Sequence, residues 1–354
     1  MITRRLIAVG LATVALLCMG AGGAGGCPCA PLPAPVVAPA GAHPVGRAEA
    51  ELDDGDRDVM VSAWYPTTVV GTAAYIPATG PIAAVEIAGL AAQWMHTPSA
   101  AVTMVAATVA ATEGAPIDVS LGHLAVVVMS PGLGTPRWIL SGLAAEIASR
   151  GHIVIVIDHT GESPAVEFPD GRIVVGKGTR PDEAGYMRAR LEDRLADTRL
   201  VLDRLPMLPV VGPMVDLQRV AMLGHSYGGL TAAHAMSADS RIRDAVMVDS
   251  SAGWPGVTGP AVTDRPVLAL QLTDPWPADA RRQPAADAVT LAGAAHYSAT
   301  DLCGLGGAPE LCGTIEPDRA TAICRAVIDG WLDRQLHGDT GPRFEVPELK
   351  WQLP

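Results

Sequence analysis

Ser226 stands in Gly224-His225-Ser226-Tyr227-Gly228, a Gly-x-Ser-x-Gly pentapeptide between an apolar run at 220–223 and an Ala-rich stretch. A serine hydroxyl is a weak nucleophile until a strained strand-to-helix turn lifts it above a sheet and a neighbouring base takes its proton. Glycines flank such a turn because strand and helix must close on each other with no Cβ between them. The base in turn needs a carboxylate to orient it, and with this turn the chain order is serine, acid, histidine. His296, in Ala294-Ala295-His296-Tyr297 after the apolar run 289–291, fits the base. His225 is expected to point away from the serine, and His234 reads as packing on the following helix. His159 comes too early to be the base, but its place at a strand end lets it line the site. Asp249, ending the run 245–248, and Asp274, just after 267–272, compete for the acid, and both strand ends are expected to open onto one crevice.

An acyl-transfer site also needs amides to hold the oxyanion. The N–H of Tyr227, just after the serine, is one donor. The second is expected from an earlier loop, Ser130-Pro131-Gly132-Leu133-Gly134, whose glycines let the backbone approach a substrate closely. A dinucleotide reading of Gly132-Leu133-Gly134 fails, because no third glycine follows and Pro136 intervenes. Neither a CxxC pair nor an HExxH motif occurs, so no metal and no cofactor is expected.

The elements that would position these groups follow from periodicity. Apolar, β-branched runs at 59–65, 124–129, 153–157, 220–223, 245–248, 267–272 and 289–291 read as strands. Between them, 138–149, 187–205, 230–236 and 321–335 have helical spacing; in the second, Met187, Leu191, Leu195, Thr198, Leu202 and Leu205 share a face, with Arg and Asp opposite. Continuous apolar strands alternating with amphipathic helices predict a mostly parallel central sheet with helices on both faces. Residues 68–120 are Ala-rich and read as helical cover near the site, with helical spacing at 87–94 and 102–111.

Hydrophobic residues are 49% and charged residues 18% of the 354, which excludes a disordered chain. Aromatics are only 4%, so the core must be built from Ala, Val, Leu and Ile. The net charge of −12, without a basic run, leaves no electrostatic footprint for nucleic acid. Arg4 and Arg5, the apolar stretch 6–19 and the small residues 21–26 have the order of a secretory signal peptide, too short for a comfortable membrane span. Ala24-Gly25-Gly26-Cys27 resembles a lipobox, which would leave an acylated Cys27 on the outer face of a membrane. Residues 1–26 are thus read as signal, 27–46 as a Gly/Ala/Pro-rich tether, and 47–354 as one domain. Cys303, Cys312 and Cys324 cluster, and in an exported chain a 303–312 disulfide is expected, with Cys324 the competing partner.

Taken together, Ser130-Pro131-Gly132-Leu133-Gly134, Gly224-His225-Ser226-Tyr227-Gly228-Gly229, Val248-Asp249 and Ala295-His296 resemble the plasma-type platelet-activating factor acetylhydrolases and their bacterial esterase and lipase relatives. The likeness runs from about residue 59 to 336 and departs at Pro131, where that family usually has His, and over 68–120. It implies an α/β-hydrolase fold, Asp249 as the acid and Leu133 as the second oxyanion amide. The more distant cutinase-like polyester hydrolases would favour Asp274. The expected function is an exported serine ester hydrolase acting on a small-molecule or lipid ester. An amide hydrolase with the same triad and a non-catalytic binding protein on this fold are the alternatives; labelling by a fluorophosphonate separates the last.

Overall fold

The computed structural model describes residues 36–251, 254–260, 264–273 and 287–352. Its centre is a ten-stranded sheet. In chain order the strands are β1 (Val45–Asp53), β2 (Asp58–Pro66), β3 (Thr112–Glu113), β4 (Leu124–Ser130), β5 (Ile153–Asp158), β6 (Val215–His225), β7 (Ile242–Val248), β8 (Val267–Gln271), β9 (Asp287–Leu291) and β10 (Leu349–Gln352). They lie in the order β10-β9-β8-β7-β6-β4-β5-β2-β1-β3. From β9 to β5 every neighbouring pair is parallel; β10, and β2 with both its neighbours, pair antiparallel.

The central strands read as unbroken apolar runs because both faces are covered. Alternate residues separate cleanly. Val127, Met129, Val154, Val156, Leu223 and Val246 join one buried cluster with α1 (Pro81–Trp94), α3 (Ser141–Ser149) and α7 (Pro317–His337). Val126, Val128, Ile155, Ile157, Met222 and Met247 join the other with α4 (Ala184–Arg204) and α5 (Tyr227–Ala238). The helical cover expected within 68–120 is α1 followed by α2 (Ala100–Ala106), and the short α6 (Pro309–Cys312) precedes α7. Trp94, at the end of α1, stands so close to the loop after β4 that a Cβ on Gly134 would come within 2.6 Å of its Nε1.

Residues 36–46, read above as part of the tether, are instead anchored, and β1 already starts at Val45. Val36 is buried, the amide of Ala40 donates to Glu146 Oε2 at 2.7 Å, and Arg325 Nη1 donates to the carbonyl of Val37 at 3.1 Å. The segment is held here by side chains of α3 and α7, a pairing that leaves no periodicity in the docked segment itself. The edge strand β10, four residues long, was likewise unmarked in the sequence. Cys27, the signal and lipobox residues 1–26, and Asp274 lie outside the described residues.

Candidate active site

β6 ends at His225 and α5 begins at Tyr227, leaving Ser226 between them at φ 56°, ψ −123°. A non-glycine residue holds such a backbone only where its surroundings enforce it. Here they do: a Cβ at Gly224 would collide with the carbonyl of Gly228, and one at Gly228 with the carbonyl of Ser130. Strand, helix and the neighbouring β4 loop are therefore packed backbone to backbone, and Ser226 is 6% exposed at the positive end of the α5 dipole.

Asp249 follows β7 and also has a left-handed backbone, φ 45°. Its Oδ1 accepts from the amides of Leu272 and Thr273, at 2.8 and 3.1 Å, which aims the other oxygen. That oxygen, Oδ2, lies 2.6 Å from His296 Nδ1, and His296 Nε2 lies 2.9 Å from Ser226 Oγ. Burial pushes the Asp249 carboxyl up, but its hydrogen bond to His296, the charge of that ring and the two amides outweigh burial and hold it well below the usual carboxylate range. Ser226, His296 and Asp249 are thus brought into one hydrogen-bonded row, in the order that a nucleophile, its base and an orienting carboxylate need.

The His296 segment is tied down from three sides. Its backbone carbonyl accepts from His225 Nε2 at 2.7 Å, and the two imidazoles pack with centroids 4.6 Å apart. The amide of Tyr297 donates to the carbonyl of Leu311, and Ser298 Oγ to the carbonyl of Cys312. Cys312 is disulfide-bonded to Cys303, while Cys324 is free and buried. The His225 ring is turned toward the backbone of His296.

A second Ser–His–Asp row lies beneath the β4 loop. His159 Nε2 is 2.8 Å from Ser130 Oγ, and its Nδ1 is 2.8 Å from Asp197 Oδ2. Its distances resemble the first row's, but its setting differs. Ser130 is 0% exposed on a regular strand, and its oxygen already accepts from Arg194 Nη1 at 2.9 Å. It therefore donates to His159 and has no open face for a substrate. His159, expected to line the site, is closed off with it. Burial, with the Arg194 charge, lowers its pKa and favours the neutral ring. His234 sits on α5 with Nε2 3.0 Å from the carbonyl of Thr258 and takes no part in the site.

The loop after β4 lies against Ser226: a Cβ on Gly132 would stand 3.4 Å from that of Ser226. Leu133 and Tyr227 thereby flank Ser226, and both join the apolar wall of Tyr186, Met187, Leu230 and Trp254. Among the described residues, one trio, His152, Asp333 and His337, has metal-type donors within reach of one another. The ring nitrogens of its two histidines are each in hydrogen-bond contact with protein groups. Arg219 donates to His337 Nδ1, so His337 Nε2–H donates to His152 Nε2, 3.0 Å away, and His152 Nδ1–H faces the Ile147 carbonyl.

Residues 34–169 match the family model of platelet-activating factor acetylhydrolase, isoform II. A probable 1-alkyl-2-acetylglycerophosphocholine esterase of Arthroderma benhamiae is 32% identical over 138 residues, 39% of this chain and 33% of that protein. A platelet-activating factor acetylhydrolase of Gallus gallus is 22% identical over 263 residues, covering 60% of this chain and 62% of its own. The chain thus spans about a third of the length of the first of these curated relatives, and two thirds is not reached in the other. The solved ferulic acid esterase of Streptomyces cinnamoneus superposes with a TM-score of 0.71 at 28% identity, over 90% of this chain and 99% of that one. The chain is an α/β-hydrolase. It resembles the platelet-activating factor acetylhydrolases and bacterial esterases, and the matched segment of the family model contains the β4 loop. What sequence reasoning missed in this α/β-hydrolase is the support under that loop, Arg194 and Glu162. The signal that could have found Arg194 is its place three residues after Leu191 and seven after Met187, within the apolar stripe and not on the polar face of α4.

Proposed function

We propose that this chain is a serine ester hydrolase. Ser226 Oγ attacks the ester carbonyl while its proton passes to His296 Nε2. Asp249 fixes the His296 tautomer through Nδ1–H and stabilises the imidazolium that forms. The N–H groups of Leu133 and Tyr227 hold the oxyanion. The tetrahedral intermediate collapses, the alcohol leaves with the proton from His296, and water, deprotonated by the same ring, releases the acid and restores Ser226.

The observation that carries this reading is the row Asp249–His296–Ser226, with spacings of 2.6 and 2.9 Å, ending at a residue forced into an elbow. Asp274 is not needed as the acid on this reading. The names of two relatives, an acetylglycerophosphocholine esterase and a ferulic acid esterase, both describe ester cleavage at a small or planar acyl group. The substrate proposed is accordingly an ester of a short or aromatic acid. Hydrolysis of p-nitrophenyl acetate and methyl ferulate, compared with p-nitrophenyl esters of rising chain length, tests it; hydrolysis confined to long-chain esters would refute the acyl assignment.

The reading includes export, with residues 1–26 as signal and the mature chain either secreted or held on the outer face of a membrane through Cys27. Among the described residues no helix is long and apolar enough to cross one. The N-terminal peptide mass of the mature protein, with or without a diacylglyceryl group on Cys27, decides both points.

A further inference from the structure

A trans peptide holds its C=O and its N–H antiparallel. Whatever fixes the carbonyl of Gly132 therefore fixes the direction of the Leu133 N–H. That carbonyl accepts three hydrogen bonds: from Thr135 N at 3.1 Å, Thr135 Oγ1 at 2.9 Å and Arg194 Nη2 at 3.0 Å. The preceding carbonyl, of Pro131, accepts from Arg194 Nη1 at 2.8 Å. Arg194 is 0% exposed, and all five of its N–H groups are engaged: the two carbonyls, Ser130 Oγ, and both carboxylate oxygens of Glu162. Glu162 Oε1 in turn accepts the amide of Gly134 at 3.1 Å. The pair thus holds the carbonyls of residues 131 and 132 and the amide of residue 134, and leaves the Leu133 amide as the one pointed away from it.

We propose that Arg194 and Glu162 are positioning residues that preset the Leu133 N–H for the oxyanion, so that the loop enters the reaction already formed. Neither side chain touches the reacting atoms. The pair lies under the loop, and its work is to make a flip of the 132–133 peptide cost several hydrogen bonds at once. Burial alone would push the Glu162 carboxyl up, but the charge and hydrogen bonds of Arg194 outweigh it and keep the carboxyl below its ordinary range. Burying a charged pair is costly unless every donor is met, as the five donors of Arg194 are. The second Ser–His–Asp row belongs to the same support: Ser130 accepts from Arg194 and donates to His159, which Asp197 orients.

This inference rests on the ester-hydrolase reading, and the test separates the two. Full-length Arg194→Lys keeps a positive charge but cannot span both carbonyls and the carboxylate at once. Its kcat on p-nitrophenyl acetate is expected to fall on the order of 10²-fold, the cost of one oxyanion donor, with KM within about twofold, the signature of an interaction made only in the transition state. Affinity for a trifluoromethyl ketone, which forms an oxyanion adduct on the serine, should fall in parallel with kcat/KM. Glu162→Gln retains an oxygen for Gly134 and should lose roughly tenfold in kcat with KM again unchanged; it decides the matter if the Arg194 variant does not fold. Wild-type kcat in a folded variant, or a loss appearing in KM alone, overturns the clamp. If Ser226→Ala remained fully active, it is the reading of Ser226 as the nucleophile that fails.

Discussion

The imidazole of His225 donates its Nε2–H to the backbone carbonyl of His296 at 2.7 Å, so the residue before Ser226 holds the loop that carries His296. The two rings pack with centroids 4.6 Å apart, and Tyr297 packs against both. Full burial, with the neighbouring His296, pushes the His225 pKa far down, so the ring is neutral, with Nε2 carrying the proton that it donates. The elbow and the His296 loop thus form one unit: a shift of either would carry the other with it.

His225→Phe keeps a ring in the stack and removes the donor. We expect kcat to fall roughly tenfold with KM nearly unchanged, since a slightly misplaced base costs rate and not binding. Steady-state kinetics on p-nitrophenyl acetate, with the thermal midpoint recorded to confirm folding, provides the check. An unchanged kcat would mean that the loop stays in place without this bond.

The two carboxylates that the sequence left open are separated by a pair of substitutions. Asp249→Asn is expected to lower kcat on the order of 10⁴-fold, because the amide no longer holds the proper tautomer of His296. Asp274→Asn is expected to leave kcat within about threefold on the same reading. Kinetics of the two purified variants side by side decides; the reverse order of damage would transfer the role to Asp274.

The disulfide between Cys303 and Cys312 closes a short loop whose end, through the carbonyls of Leu311 and Cys312, receives hydrogen bonds from Tyr297 and Ser298. Cys303→Ser with Cys312→Ser should lower unfolding free energy by about 2–3 kcal/mol for a loop of this size. It should also lower kcat, through looser placement of His296. Urea denaturation and turnover of the double variant measure both effects. A loss of stability at constant kcat would separate the cross-link from the site.

Asp301 gives a pH dependence of known sign. Burial pushes its carboxyl up to about 6 in the folded protein, against about 3.9 in an unfolded chain. The folded state therefore holds this proton more tightly, and the corresponding stability is present below pH of about 4 and lost as pH rises through about 6. Asp301→Asn retains an oxygen for the amide of Gly142, which donates to Oδ2 at 2.9 Å in the native protein. Relative to wild type, the variant should gain about 2–3 kcal/mol between pH 4 and 7.5. Urea titrations at the two pH values test it, and a pH-independent difference would contradict the assignment.

Much of this site was legible because its demands are local. The glycines around Ser226 are imposed by backbone contact, and the unbroken runs of β4, β5 and β7 by burial on both faces. Asp249 could not be told from Asp274 by spacing, since each follows an apolar run that reads as a parallel strand; the positive φ of Asp249 and its hydrogen bond across 47 residues to His296 are tertiary features that no local pattern carries. The docking of residues 36–44 was hidden because their partners, Glu146 and Arg325, lie more than a hundred residues away. Arg194 did leave a trace. A charged residue within the apolar stripe of Met187, Leu191 and Thr198 must be paired when that stripe is buried, and here the partners are Glu162 and the β4 loop.

The central claim is that, of two hydrogen-bonded Ser–His–Asp rows, only the one at the elbow carries an activated nucleophile. A fluorophosphonate reports this directly, because it forms a stable adduct with a serine that has a base, an oxyanion site and an open face. The folded wild-type protein should take up one equivalent, and peptide mass mapping should place it on Ser226, with Ser130 unmodified and Ser226→Ala unlabelled. An adduct on Ser130, or no adduct on a folded protein that still hydrolyses p-nitrophenyl acetate, would contradict the account.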